Sequence, residues 1–204
     1  MTDTKKTKSN DTIQYYNINA GAFIENTLGA NMNEHYDAFL KHIPTGGSIL
    51  DAGCGSGRDS KRFIELGYEV EAFDASEEMV RFAKTYTGLN VRQCAFSEIE
   101  YEKKFDGIWA CASLLHISED LLTEVMNLLI NNLKLNGAMY MSFKYGESEY
   151  EKDGRLFNCF TKDTFTEYFK NFDTLKLETM YVSDDVREGR ADEKWLSVVV
   201  RKLG

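Results

Sequence analysis

The chain has 204 residues, of which 43% are hydrophobic and 28% charged, the make-up of one globular domain with a well-buried core. A net charge of −9 speaks against a polyanionic partner such as DNA, because proteins that grip nucleic acid neutralise several phosphates with a basic surface. No stretch of about 18 apolar residues is available to cross a bilayer, so no membrane association is expected.

The opening "MTDTKKTKSNDT" is polar and has no apolar run, so residues 1–12 read as a disordered tail rather than a signal peptide. Residues 13–43 read as a helical segment. Its clearest helix carries Tyr36, Phe39, Leu40 and Ile43 at i, i+3, i+4, i+7 spacing and ends at Pro44 and Gly46-Gly47. From residue 45 to 204 strands and helices alternate. "SILDAG" is a buried strand, "RDSKRFIELG" a helix, "YEVEAFD" a strand, and "SEEMVRFAKTYTG" a helix begun by Ser76. "LNVRQCAF" and "FDGIWACAS" are strands, "SEDLLTEVMNLLINNLK" a helix and "GAMYMSFKYG" a fifth strand. A helix around "TKDTFTEYFKNF" precedes "TLKLETMYV" and "WLSVVVRK", two strands joined by a polar loop as an antiparallel pair. The expected fold is α/β: a doubly wound, Rossmann-like sheet, mostly parallel, with helices on both faces.

The four cysteines, Cys54, Cys94, Cys111 and Cys159, form no CxxC pair. His35, His42 and His116 do not join them at metal-ligand spacing, so no metal is expected, and the thiols suit a reducing, cytoplasmic compartment.

The run "ILDAGCGSGRDS", residues 49–60, carries the chemistry. It turns from strand to helix at the carboxyl edge of the sheet, where open α/β sheets bind ligands. A bare turn needs one glycine; Gly53, Gly55 and Gly57 together let a ligand lie against the backbone. The turn is not a P-loop, which needs GxxxxGK[ST], and its GxGxG spacing departs from the dinucleotide GxGxxG. Asp51 and Asp59 flank it and would repel a pyrophosphate, but they suit a cationic ligand. Asp74, ending the second strand about twenty residues on, stands where an acidic residue accepts ribose hydroxyls. A nucleoside with a cationic amino-acid tail fits both, and S-adenosylmethionine has that description.

These stretches, with "AFDAS", "FDGIWACASLLHI" and "LKLNGAMYMSFKYG", resemble the successive motifs of class I S-adenosylmethionine-dependent methyltransferases over residues 45–202. The chain is most similar there to small bacterial stand-alone enzymes of the tellurite-resistance type. The resemblance implies a seven-stranded sheet with an antiparallel last strand, and S-adenosylhomocysteine as product. It also implies Asp51, Gly53 and Gly55 around the methionine moiety, Asp74 on the ribose and Ala75 and Met79 packed on adenine; Cys54, Arg58, Asp59, Ala95, Phe96 and Ala110 complete the expected cofactor site. "QCAFSEI" lacks the acidic residue that many relatives place after the third strand, which leaves Glu98, backbone groups or stacking by Phe96 to read adenine.

The acceptor should lie over the ends of the fourth and fifth strands. His116, with the intrinsic pKa of a base, and Lys144 and Tyr145 are the catalytic candidates. Residues 13–43 correspond to a segment that in similar enzymes folds over the cofactor as a lid, and its Tyr15 and Tyr16, with Ser113, Arg155, Arg187, Arg190 and Trp195, are candidates for the substrate pocket. Arginines that converge there would select a small anion; arginines facing outward would pair with Asp184, Asp185, Asp192 and Glu193. The sole proline, Pro44, rules out the proline-containing motifs of DNA amino- and cytosine-methyltransferases. The expected activity is in-line methyl transfer to oxygen or nitrogen of a small soluble acceptor by a monomer or homodimer. An RNA methyltransferase and a non-catalytic S-adenosylmethionine-binding module are the alternatives.

Overall fold

The computed structural model describes residues 3–187, 189–190 and 192–204, with backbone alone for residues 3–10. At its centre is β1 (Ser48–Ala52), buried at every position, as a strand covered on both faces must be. Around it the sheet runs β3-β2-β1-β4-β5-β9-β8. The members are β2 (Glu69–Asp74), β3 (Arg92–Gln93), β4 (Phe105–Ala110), β5 (Leu133–Lys144), β8 (Leu175–Asp184) and β9 (Lys194–Lys202). β1 pairs in parallel with β2 and β4, β2 with β3, and β4 with β5. β9 runs antiparallel between β5 and β8. The expected seven-stranded, mostly parallel sheet with an antiparallel final strand is the fold observed.

Alternate residues of the central strands feed two separate cores. On one face Ile49, Trp109 and Tyr140 pack with Phe39 of α3 (Asn33–Leu40) and Phe63 of α4 (Arg58–Glu65). Trp109 stacks on Tyr140 at 3.9 Å between ring centroids. α5 (Glu77–Thr87) covers the same face further out, through Ala72, Val80 and Ala83. On the other face Leu50, Ile108 and Met139 pack with Leu122, Val125 and Leu129 of α6 (Glu119–Asn132) and Phe165 of α7 (Lys162–Phe169). α5 is closed at both ends as its sequence foretells: Ser76 Oγ accepts the Met79 amide and Gly88 takes the left-handed φ of a C-cap.

Three features depart from the sequence reading. Residues 1 and 2 of the expected tail lie outside the described residues, but from Asp3 to Ile18 the backbone is one helix, α1, followed by α2 (Ala20–Thr27). No glycine or proline interrupts residues 3–18, so the helix extends backward from its packed end. The third strand shrinks to Arg92–Gln93 because Cys94 to Ser97 turn into a loop ending in a short 3₁₀ turn, Phe96–Glu98. A two-stranded ribbon, β6 (Tyr150–Lys152) and β7 (Arg155–Phe157), stands between β5 and α7 where a loop was expected. No helix among the described residues is long and apolar enough to cross a membrane.

Candidate active site

The carboxyl ends of β1, β2, β4 and β5 open into a cleft of about 610 Å³, roofed by α1 and α2. At its floor the amides of Gly53 and Cys54 both donate to the Phe73 carbonyl, at 3.0 and 2.9 Å, which ties the turn to β2. The three glycines do different things. Gly53 has φ +77 and a Cβ there would stand 2.6 Å from Ser113 Cβ, while Gly55 has φ +53 and turns its amide to Asp74. Gly57 does not line the cleft; a Cβ on it would meet Thr87 at 2.7 Å, so its role is to let α4 lie close against α5.

Each oxygen of Asp74 receives one backbone amide: Oδ2 from Gly55 at 2.8 Å and Oδ1 from Ser76 at 2.9 Å. The Ala75 amide also acts on it, and a carboxylate so held keeps acceptor capacity for a further donor. Burial raises the Asp74 pKa, and these amides oppose the rise. Ala75, Met79, Ala95 and Phe96 line the cleft beside it. Glu98 does not: its carboxylate caps the Ala95 amide at 3.0 Å, so of the adenine-reading groups expected, Phe96 and backbone are the ones at hand.

The two carboxylates flanking the turn are held in unlike ways. Asp51 lies beneath the turn, outside the cleft lining, and accepts Ser60 Oγ at 2.6 Å; burial, and then the charge of Asp59, push its pKa up. Asp59 would be raised by burial too, but Arg58 holds it ionised, and Tyr36 and Trp109 donate to it at 2.6 and 2.8 Å. Arg58 also reaches the Thr27 carbonyl at 3.2 Å, fastening α2 to α4. Ala110, fully buried in the core, likewise does not line the cleft.

Above the acceptor end, Tyr16 of α1 meets His116 of the 3₁₀ turn Leu114–His116, Oη to Nε2, at 2.8 Å. His116 Nδ1 lies 2.6 Å from the Leu156 carbonyl, which can only accept, so the neutral ring carries its proton on Nδ1 and takes the Tyr16 hydroxyl at Nε2. Burial lowers His116 to about 4, with Arg155 adding to the effect, and raises Tyr16 to about 12. The pair is neutral at physiological pH, so His116 at rest is a fixed acceptor rather than a base poised near 7. Ser113 lines the cleft but gives its hydroxyl to the Ala52 carbonyl at 2.7 Å.

On the far wall Lys144 sits between Asp185 and Glu193, with its ammonium 4.1 Å from the Trp195 ring centroid. Trp195 Nε1 donates to Asp185 at 2.9 Å and Arg187 Nε at 2.8 Å; burial alone would raise Asp185, but these donors hold it well below the carboxylate range. Arg190 lies 3.4 Å from Glu193. All of these groups line the cleft, yet Lys144, Arg187 and Arg190 are bound to carboxylates of their own wall. Tyr145 is 42% exposed outside the cleft, because β5 alternates its side chains and Lys144 takes the inward position. Tyr15 also stays out of the lining, its ring lying 3.8 Å from the Arg155 guanidinium.

Sequence reasoning missed Phe23 and His35 of the lining and Asn17, which accepts Ser76 Oγ at 2.8 Å. Helical residues distant in sequence give no local sign of the partner they will meet. The ribbon that carries Arg155 did leave a sign, the Asp153-Gly154 dipeptide, whose φ values of +54 and +73 make the tight hairpin turn that Asp-Gly favours.

Residues 49–137 match the family described as methyltransferase domain. The chain is 24% identical over 166 residues to an uncharacterized methyltransferase of Staphylococcus carnosus, covering 74% of this chain and 80% of that protein. Of the other curated relatives that it matches, it spans between 34% and 51% of the length. Among solved structures, the 1,6-didemethyltoxoflavin-N1-methyltransferase of Burkholderia thailandensis, with bound 1,6-didemethyltoxoflavin and S-adenosylhomocysteine, superposes with a TM-score of 0.77 at 22% identity over 98% of this chain and 88% of its own. TehB from Haemophilus influenzae gives 0.65 at 17% identity over 83% and 62% of the two chains. The glycine turn, the strand order and the match over residues 49–137 converge on a methyltransferase domain.

Proposed function

We propose that the protein transfers a methyl group from S-adenosylmethionine to an oxygen or nitrogen of a small molecule enclosed beneath the lid. Residues 13–43 form that lid and residues 45–204 the catalytic core of one domain. When bound, the cofactor supplies a methyl already activated on a sulfonium. The observation that carries the reading is Asp74, whose oxygens hold backbone amides and keep acceptor capacity for a ribose hydroxyl. Gly53 and Gly55 would let the methionine moiety approach bare backbone, and Ala75, Met79 and Phe96 would flank the base.

The remaining task is alignment and exclusion of water, which the roofed cleft supports. Tyr16 and His116 meet over the acceptor end and fix the lid there; with His116 lowered to about 4, they position rather than titrate. A small acceptor is favoured over RNA by the net charge of −9 and by the pairing of Lys144, Arg187 and Arg190 with carboxylates of their own wall. The Burkholderia enzyme, similar in fold, is an N-methyltransferase crystallised with a small heterocycle, which agrees with this reading. Four free cysteines fit work in the cytoplasm.

The test is incubation with methyl-labelled S-adenosylmethionine, metabolite extract and total RNA. Label in a low-molecular-weight product is the expected result. Label in RNA, or tight cofactor binding with no label transferred, would replace the proposal with one of its alternatives.

A further inference from the structure

Arg155 differs from the other arginines of the cleft. Arg58, Arg187 and Arg190 face Asp59, Asp185 and Glu193, at 2.6, 2.5 and 3.4 Å. The carboxylate closest to Arg155 among the described residues is Asp153, at 3.5 Å with a side chain 60% exposed, while Arg155 itself is 16% exposed. Its Nε is buried with no hydrogen-bond partner. Its neighbours are rings and a hydroxyl: the guanidinium lies 3.8 Å from the Tyr15 centroid and 5.1 Å from that of Phe157, and it acts on the neutral Tyr16 phenol.

A largely buried charge whose carboxylate partner stands 3.5 Å away and mostly in water is poorly compensated. Rings cover the face of the guanidinium; at its edge Asp153 and the Tyr16 hydroxyl take up part of the donor set and Nε is left unpartnered, a donor that a carboxylate or phosphate would satisfy. The placement is specific. Arg155 is the first residue after the Asp153-Gly154 turn, on a ribbon whose Leu156 carbonyl also holds His116. It lines the cleft next to the Tyr16–His116 pair, at the acceptor end.

We infer that Arg155 anchors an anionic group, a carboxylate or a phosphate, of the methyl acceptor. The inference rests on the proposed methyl-transfer reading of the same cleft, but its chemistry can be tested apart from it. Acetate and inorganic phosphate are titrated calorimetrically into protein saturated with S-adenosylhomocysteine, and the anion that binds identifies the class. Arg155→Met is expected to weaken that anion at least about tenfold and Arg155→Lys, which keeps the charge but not the Nε donor, by less. S-adenosylhomocysteine affinity should stay within about twofold in both, as expected of a residue outside the cofactor half. In protein labelled with nitrogen isotope at arginine, the anion is also expected to shift the Arg155 Nε–H resonance, a readout that needs no variant to fold.

Saturable binding of neither anion, an unmoved resonance, or unchanged affinity in Arg155→Met overturns the inference. So does weakened S-adenosylhomocysteine binding with anion affinity intact, which would give Arg155 to the cofactor's own carboxylate. Loss of S-adenosylhomocysteine binding in the wild-type protein would instead sink the methyl-transfer reading, and the anion titration would still read the site.

Discussion

Tyr16 of α1 donates its hydroxyl to Nε2 of His116 at 2.8 Å, and the two sit a hundred residues apart in the chain. One hydrogen bond therefore joins the roof of the cleft to the loop after β4, and the Leu156 carbonyl fixes which nitrogen accepts it. The consequence for stability has a sign. A histidine buried in its neutral form at about 4, against about 6.5 when unfolded, lets the unfolded chain take up the proton first as pH falls. Its contribution is complete above pH ~6.5 and is lost by about 3 kcal/mol as pH drops to ~4. In urea unfolding across that range, His116→Gln is expected to be less stable at pH 7 and to fall less steeply toward pH 4 than the wild type. Parallel curves would show that His116 is not held neutral.

Two glycines a few residues apart should fail in different ways. In Gly53→Ala the new Cβ would stand 2.6 Å from Ser113 at a φ of +77, so S-adenosylhomocysteine affinity should drop at least about tenfold by calorimetry. In Gly57→Ala the Cβ would meet Thr87 at 2.7 Å, away from the cleft. That variant should lose about 1–3 kcal/mol of stability while the ligand affinity of its folded fraction stays nearly unchanged.

Asp74→Asn replaces one acceptor oxygen by an NH₂ that must face either the Gly55 or the Ser76 amide, donor against donor. Loss of about 1.5–3 kcal/mol, a ten- to hundredfold weaker S-adenosylhomocysteine, is expected. Affinity within twofold of wild type would show that this carboxylate takes no part in binding.

The two tryptophans report on different places. Trp109 is fully buried under Tyr140, whereas Trp195 lines the cleft beside Lys144. Acrylamide should quench Trp195 alone, and an anion or acceptor entering that end should protect it. Trp195→Phe should remove both effects and leave a quench-resistant emission; residual quenching would mean that the core around Trp109 opens readily.

The parallel sheet and its antiparallel finish were legible because they follow from local rules. Buried apolar runs spaced by amphipathic helices make a parallel sheet, and two strands joined by a polar loop make an antiparallel pair. The residues at the glycine turn and Asp74 were legible for the same reason, since strand ends and their turns declare themselves in a few consecutive letters. What those letters do not reveal is which way a side chain is claimed. Asp51 and Asp59 flank the turn alike, yet Asp51 turns down to Ser60 while Asp59 is taken by Arg58, Tyr36 and Trp109. Arg155, Arg187 and Arg190 are all basic letters with an acidic neighbour two or three residues away, and only the folded arrangement shows that Arg155 alone of the three keeps a buried Nε without a partner. Residues 3–12 read as a tail, and not as the start of the helix that begins there, because their polar letters carry no periodic apolar stripe.

β9 comes after β8 in the chain but lies inside it in the sheet, between β5 and β8. A ribosome therefore delivers the outer strand before the inner one, and until β9 arrives the nascent molecule carries raw hydrogen-bonding edges on both sides of a vacant slot. Val198, Val199 and Val200 fill that slot without exposure, and Trp195 enters the cleft wall with them. Translation thus finishes this wall of the cleft last, and an abortive product lacking the segment would be sticky at both open edges.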